Sequence, residues 1–346
     1  MVRGWRGTRV LQLIACVAAA TLSAVPATVR AAPAPDVTAR SILVMLVYWT
    51  EPDAVTPEEA ADVVGEQDSA WLAENSYGAV HTTGAATPWM PIAHSDCLND
   101  RAGIHADAVA QARARGIEPD DYDTVMVYFP AADCGGYAGL AEGSRLVFLN
   151  GHMGTFITIH ELGHTMGLAH SHAVSCRDLT GAPVPLSEDC SRSEQGDSFD
   201  TMGNSSFGAG HFNAAQKARL GWLDGRVRTV TRHARVSLAP YETTSGTKAV
   251  EVATGARRYW LEYRRPLGVD AFLAGHPGAV DGVLVHAESP VGGTDLLDMR
   301  PGTSDLSDAA LPAGSAWTTP EGAVIRVESA TGKGAIVRVE VPAAAR

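Results

Sequence analysis

Positive charge is scarce in this 346-residue chain: 27 lysines and arginines stand against 39 aspartates and glutamates, a formal net charge of −12. An acidic surface repels nucleic acid and anionic lipid, so neither is an expected partner. Long apolar runs are scarce too. Beyond the first 31 residues no stretch approaches the roughly 20 apolar residues of a membrane-spanning helix. Neither internal repeats nor long low-complexity tracts occur, which excludes a solenoid or fibrous array. Cysteine is rare, with five in all. What remains is an ordinary globular composition, 45% hydrophobic and 19% charged, long enough for one large or two moderate domains.

The first 31 residues stand apart. Arg3, Arg6 and Arg9 precede an apolar segment from Val10 to Val25, and Val29-Arg30-Ala31 offers small residues at a cleavage site. The pattern is that of a secretory signal peptide cut near Ala31. A membrane anchor is the rival reading, but the segment is short, interrupted by Pro26 and followed by Arg30. Cleavage would remove four arginines and no acid, taking the net charge to about −16. The expected product is secreted, monomeric and without stable membrane insertion. Cys16 would leave with the leader. Cys97, Cys134, Cys176 and Cys190 remain, an even number that suggests two disulfides in an exported chain. Three pairings are possible. The local choice is Cys176 with Cys190 and Cys97 with Cys134, the shorter bridge contributing about 3 kcal/mol by chain entropy. Cysteine ligands for a second metal are the alternative.

The most informative stretch runs from His160 to His170 and reads His-Glu-x-x-His-x-x-Gly-x-x-His. Residues four apart share a helix face, so His160 and His164 can reach one ion at a Zn–N distance of about 2.0–2.1 Å. On the same regular helix His170 would be turned about 240° and lifted roughly 9 Å. The helix must therefore end first, and Gly167 sits where a left-handed residue can turn the chain back. Three protein ligands leave a position open for chemistry. Glu161 leans off the ligand face and suits a general base acting on metal-activated water. Five fixed residues in this window arise by chance in roughly one chain in ten thousand of this length.

This motif resembles that of the metzincin zinc endopeptidases. The resemblance implies a tight turn downstream with a methionine beneath the metal, and Asp200-Thr201-Met202-Gly203 is similar to that turn. Met202 would then be a packing floor and not a ligand. More locally the chain resembles the gametolysin-like metallopeptidases. The matching stretches are Glu74 to Gly78, Thr158 to Ser171, Phe199 to Asn204, Lys217 to Trp222 and Tyr259 to Arg264. They fall between roughly residues 70 and 265. Some metzincins carry a tyrosine two residues after the turn methionine. Asn204 occupies that position here, so no tyrosine role is carried over. Nor does a cysteine stand between the expected cleavage point and the first strand, so a prodomain that masks the metal through a cysteine is not expected.

The expected fold class is α/β (α+β): a metzincin-like catalytic domain with a mixed sheet and a zinc-site helix, then an all-β, sandwich-like C-terminal region. After the leader (1–31) and a linker (32–40), the catalytic domain spans 41–223 and the β-rich domain 224–346. Strands are expected at Ser41–Trp49, Ala79–Gly84, Asp123–Phe129 and Arg145–Leu149. Helices are expected from Thr56 to about Asn75, from Asp100 to about Arg115, from about Gly154 to Gly167 and from Asn213 to Leu220. If the likeness to metzincins holds, Ser144 to Leu149 or its neighbouring loop pairs with an extended substrate; an ordinary sheet edge explains it equally. Ser171 to Ser198 reads as a polar loop stapled by cysteine, whose acids Glu188, Asp189 and Asp197 either bind Ca2+ or are simply solvated. The regular calcium-loop pattern is absent, which favours the latter. His152 and His172 could support the ligands or face the cleft, the surface being the plainer reading.

Three functions fit. The first is a secreted zinc-dependent endopeptidase acting on peptide or protein substrates. The second is a secreted, non-enzymatic binding protein with a vestigial zinc site that uses its β-rich region; nothing in binding requires Glu161. The third is a zinc hydrolase of a non-peptide amide.

Overall fold

The run at Ser41–Trp49 becomes the centre of a sheet because both its faces are covered. The computed structural model describes residues 38–342, apart from 187–189, 205, 256 and 304–305. The expected leader, the linker up to residue 37, Glu188 and Asp189 lie outside the described residues. Strand β1 (Thr38–Tyr48) starts three residues before the expected linker ends, because Thr38 to Arg40 already pair with the second strand. Ile42, Val44 and Leu46 enter one apolar cluster, and Leu43, Met45 and Val47 another. Burial on both faces is why the run is continuously apolar rather than alternating.

The next elements are α1 (Pro57–Asp62), a π turn at Val63–Gln67, α2 (Asp68–Asn75), β2 (Val80–Ala86), β3 (Met90–Pro91), α3 (Arg101–Arg113), β4 (Thr124–Phe129), β5 (Gly139–Glu142), β6 (Leu146–Asn150) and α4 (Thr155–Thr165). Thr56 and Glu59 cap α1 reciprocally, and Asp100 caps α3. The sheet order is β2-β1-β4-β6-β5, with β3 also on β1. All these pairs are parallel except β5, which runs antiparallel to β6 at the edge. Helix α3 packs on one face through Ile104, Ala108 and Ala112. Helix α4 packs on the other through Ile159 and Leu162, beside α1 and α2. The edge expected at Ser144–Leu149 is thus β5, while β6 is paired on both sides.

The polar segment expected as a loop holds β7 (Ser171–Arg177), β8 (Pro183–Val184) and β9 (Cys190–Ser193). Both expected disulfides are formed, and Cys176–Cys190 joins residues that face each other in the β7–β9 ladder. After α5 (Ala214–Arg219) come β10 (Val227–Val230), β11 (His233–Leu238), β12 (Ala249–Ala253), β13 (Arg258–Glu262), α6 (Pro277–Val280), β14 (Gly282–Glu288), β15 (Thr294–Leu297), β16 (Leu311–Pro312), β17 (Ala316–Thr318), β18 (Val324–Thr331) and β19 (Gly334–Glu340). The sheets β10-β12-β13-β14-β15-β7-β8 and β11-β19-β18-β17 share an apolar core that includes Val250, Leu261 and Val285 from one and Leu238, Ile325 and Val337 from the other. The molecule is therefore a mixed α/β region with a β-rich region, as expected at this coarse level. Parallel pairing of β7 with β15, from Ser171↔Thr294 to Val174↔Leu297, carries one sheet across the division at residues 223/224. No helix among the described residues is long and apolar enough to cross a membrane. The two disulfides fit an oxidising compartment.

Candidate metal centre

Helix α4 ends at Thr165, and Gly167 takes φ +88°, a conformation with no Cβ penalty only for glycine. The Gly167 N–H donates to the His164 carbonyl at 2.9 Å and the Leu168 N–H to the Gly163 carbonyl at 3.0 Å, closing the helix. The chain then turns back and brings His170 to His160 and His164. Their ligand nitrogens lie within 4.8 Å of one another, and the Nε2 atoms of His164 and His170 are 3.1 Å apart. Each outer nitrogen is engaged elsewhere. Nδ1 of His160 faces the Thr201 carbonyl at 2.7 Å, that of His164 the Leu168 carbonyl at 3.0 Å, and that of His170 the Glu194 carboxylate at 3.2 Å. These contacts fix the tautomers so that the three inner nitrogens carry lone pairs. Burial pushes the His160 imidazole down to about 4 and lowers that of His164, the Thr201 and Leu168 carbonyls opposing in each case. Both rings are thus neutral at ordinary pH, the form a metal binds. Tetrahedral coordination at about 2.0–2.1 Å places ligand nitrogens about 3.3 Å apart, close to the 3.1 Å between His164 and His170, the whole set lying within 4.8 Å. The cluster could hold one metal ion.

Glu161 is buried one residue from His160 and lines the same cleft, of about 680 Å³, with Gly139 to Ala141 of β5, the three histidines and Gln195. Burial pushes its carboxyl up to about 7, against a backbone hydrogen bond from Ala141 that lowers it. A Cβ on Gly139 would come within 2.6 Å of Glu161 Oε1, so only glycine lets β5 approach this closely. Met202 is wholly buried, and a Cβ on Gly163 would sit 2.3 Å from its sulfur. The glycine just before His164 thus makes room for the methionine against α4. The residue before that methionine, Thr201, supplies the carbonyl that orients His160.

No family model matches this chain, and no curated protein matches it. The case for a function therefore rests on the geometry.

Other residues fall differently from expectation. His172 is buried, with Nε2 3.2 Å from the Gly292 carbonyl, because β7 is sandwiched in a sheet; His152 is exposed. Asp197 is not a solvated loop acid. It is wholly buried, accepts from Ser171 Oγ at 2.8 Å, and faces His286 Nε2 at 2.9 Å. Sequence reasoning did not single out Gln195. Its amide nitrogen lies 2.9 Å from His170 Nε2, and it holds φ +51°, unusual for a residue with a side chain. The only hint was its place between the cysteine-stapled segment and the methionine turn. Arg264 lay inside a matching stretch, but its burial against the turn was not foreseeable.

Proposed function

We propose that this chain is a zinc-dependent endopeptidase of the metzincin kind, similar to the gametolysin-like enzymes, secreted and acting on peptide or protein substrates. One observation carries the reading: three histidines converge on one point beside a buried glutamate, in a cleft bordered by a sheet edge. His160, His164 and His170 would hold the ion. A donor set of three imidazoles with no second carboxylate suits Zn2+ rather than Ca2+ or Mg2+. Bound there, Zn2+ would supply Lewis acidity, polarising a carbonyl and acidifying water.

The chain's own groups do the rest. The free edge of β5 offers backbone donors and acceptors to an extended peptide. Glu161 takes a proton from water as its oxygen bonds to the scissile carbonyl carbon. It then delivers that proton to the amine nitrogen as the C–N bond breaks. A carboxyl held near 7 is suited to both transfers. The Thr201 carbonyl keeps His160 in place, and Met202 packs against Gly163 of the same helix.

The test is a mixed peptide library incubated with the protein, with and without a zinc chelator, beside Glu161→Ala. Internal cuts should appear with the wild type and vanish in both controls, while the variant still binds zinc. Cleavage undiminished in Glu161→Ala would remove Glu161 from the mechanism. No cleavage of any peptide by zinc-loaded wild type would favour a binding protein.

A further inference from the structure

Gln195 sits at the rim of the cleft, half-buried, at the end of the β9 strand. Three observations distinguish it from an ordinary loop residue. Its backbone is held at φ +51° although it carries a side chain, a cost tolerated where the surroundings over-determine it. Its carbonyl is clasped by the Asn204 side-chain amide at 2.9 Å, and Asn204 is itself fixed by Ser198 Oγ at 3.1 Å and the Ser206 N–H at 2.9 Å. Its side chain is thereby aimed inward, with Nε2 2.9 Å from His170 Nε2.

The direction of that last contact follows from its neighbours. The Glu194 carboxylate faces His170 Nδ1, which places the ring's proton on Nδ1 and leaves Nε2 as an acceptor. The Gln195 group facing it must then be the N–H donor. Commitment of His170 Nε2 to a metal would take that acceptor away. The amide N–H would then turn off that nitrogen within the cleft that Gln195 shares with Glu161. A donor whose backbone is anchored at the rim of the cleft is at hand for a charge that appears only during reaction.

We infer that Gln195 is a catalytic residue of the proposed peptide hydrolysis, its carboxamide donating to the scissile carbonyl oxygen as that oxygen becomes an oxyanion. As the water oxygen bonds to the carbonyl carbon, the carbonyl π pair moves onto its oxygen, while Glu161 holds the water's proton. The N–H of Gln195 stabilises the resulting negative charge. The pair returns as the C–N bond breaks and Glu161 protonates the leaving nitrogen, so Gln195 itself neither gains nor loses a proton.

This inference rests on the endopeptidase reading, and its test separates the two. Gln195→Met keeps the length and removes the donor. Gln195→Gly removes the side chain and accepts φ +51° without strain, so a folding defect in one variant is checked by the other. For each, thermal unfolding, zinc affinity by chelator competition, kcat and KM on a cleaved peptide, and calorimetric affinity for a phosphinic peptide mimicking the tetrahedral anion are measured. The expected result is a kcat lower by about 100-fold to 1000-fold, with KM and zinc affinity within about threefold of wild type. Affinity for the phosphinic peptide should fall about as far as kcat/KM. Unchanged kcat in both folded variants would overturn the inference. So would reduced zinc affinity with wild-type kcat once zinc is saturating, which would mean that Gln195 only props His170. A wild type that neither cleaves peptides nor binds the phosphinic peptide would overturn the endopeptidase reading, and this inference with it.

Discussion

At the scale of single residues, what was legible is what local geometry dictates. A four-residue spacing, a glycine where a helix must stop and a glutamate beside the first histidine needed no knowledge of the fold. The residues that escaped reading owe their state to distant neighbours. Asp68 looks like an acid in the first turn of a solvated helix, yet it is wholly buried and neither carboxylate oxygen finds a hydrogen-bond donor. The Thr158 hydroxyl beside it turns to the Gly154 and Thr155 carbonyls instead. Burial pushes the Asp68 carboxyl up to about 8, the Thr158 and Thr155 hydroxyls nearby only partly opposing it. Because the folded pKa lies above the unfolded one, the folded state keeps a proton that the unfolded state gives up. This carboxyl's contribution to stability is therefore intact below about pH 4 and erodes as pH rises towards 8, by at most about 1.4 kcal/mol per unit. Asp68→Asn cannot titrate. Its stability relative to wild type, from urea unfolding, should improve by up to about 4 kcal/mol between pH 5 and pH 8. An equal gap at both pH values would show that Asp68 does not hold its proton in the folded chain.

At the scale of elements, periodicity and caps located β1, α3, β4, β6 and α4 to within a few residues, because each carries its own apolar pattern or capping residue. The hairpin of β7 and β9 carries neither. Its sequence, rich in serine, arginine and aspartate, becomes strand only through a ladder to β15, about 120 residues downstream, so tertiary pairing overrides composition. The π turn between α1 and α2 was equally hidden. It accommodates close backbone contact between Gly65 and Gly84, which no local signal announces. The cysteines were the one local clue to the hairpin, and they tie the strand that carries His172 to the strand that leads into Glu194 and Gln195. Replacing both Cys176 and Cys190 by alanine should cost about 2–4 kcal/mol in chemical unfolding. Zinc affinity should fall as well, since the contact from Glu194 to His170 is set by that strand's end. Unaltered stability would mean that the ladder to β15 alone holds the hairpin.

At the scale of the whole molecule, the change of character after residue 224 was visible, but the dependence of the site on the β-rich region was not. Arg264 is wholly buried with Glu262 and Asp270. Its guanidinium donates to the Phe199 carbonyl, at the entrance to the methionine turn, and to the His211 carbonyl at 3.1 Å. Glu262 accepts from the Ala214 N–H at 2.6 Å, at the start of α5. The Thr294 N–H donates to the carbonyl of His170 itself at 3.2 Å. A chain stopped at residue 223 would lose the bonds from the charged Arg264 and Glu262 to the Phe199 and His211 carbonyls and the Ala214 N–H, and the donor to the half-buried His170 carbonyl, each worth about 1–3 kcal/mol. The sum rivals the total stability of an ordinary domain, about 5–15 kcal/mol. A fragment of residues 38–223 should therefore show no cooperative thermal transition by circular dichroism and no stoichiometric zinc binding, whereas 38–346 shows both. A fragment that melts cooperatively and binds zinc as tightly as the longer chain would make the β-rich region an appendage. The buried contacts of Arg264 and the Thr294 bond to His170 argue instead that it braces the segments that carry the site from behind.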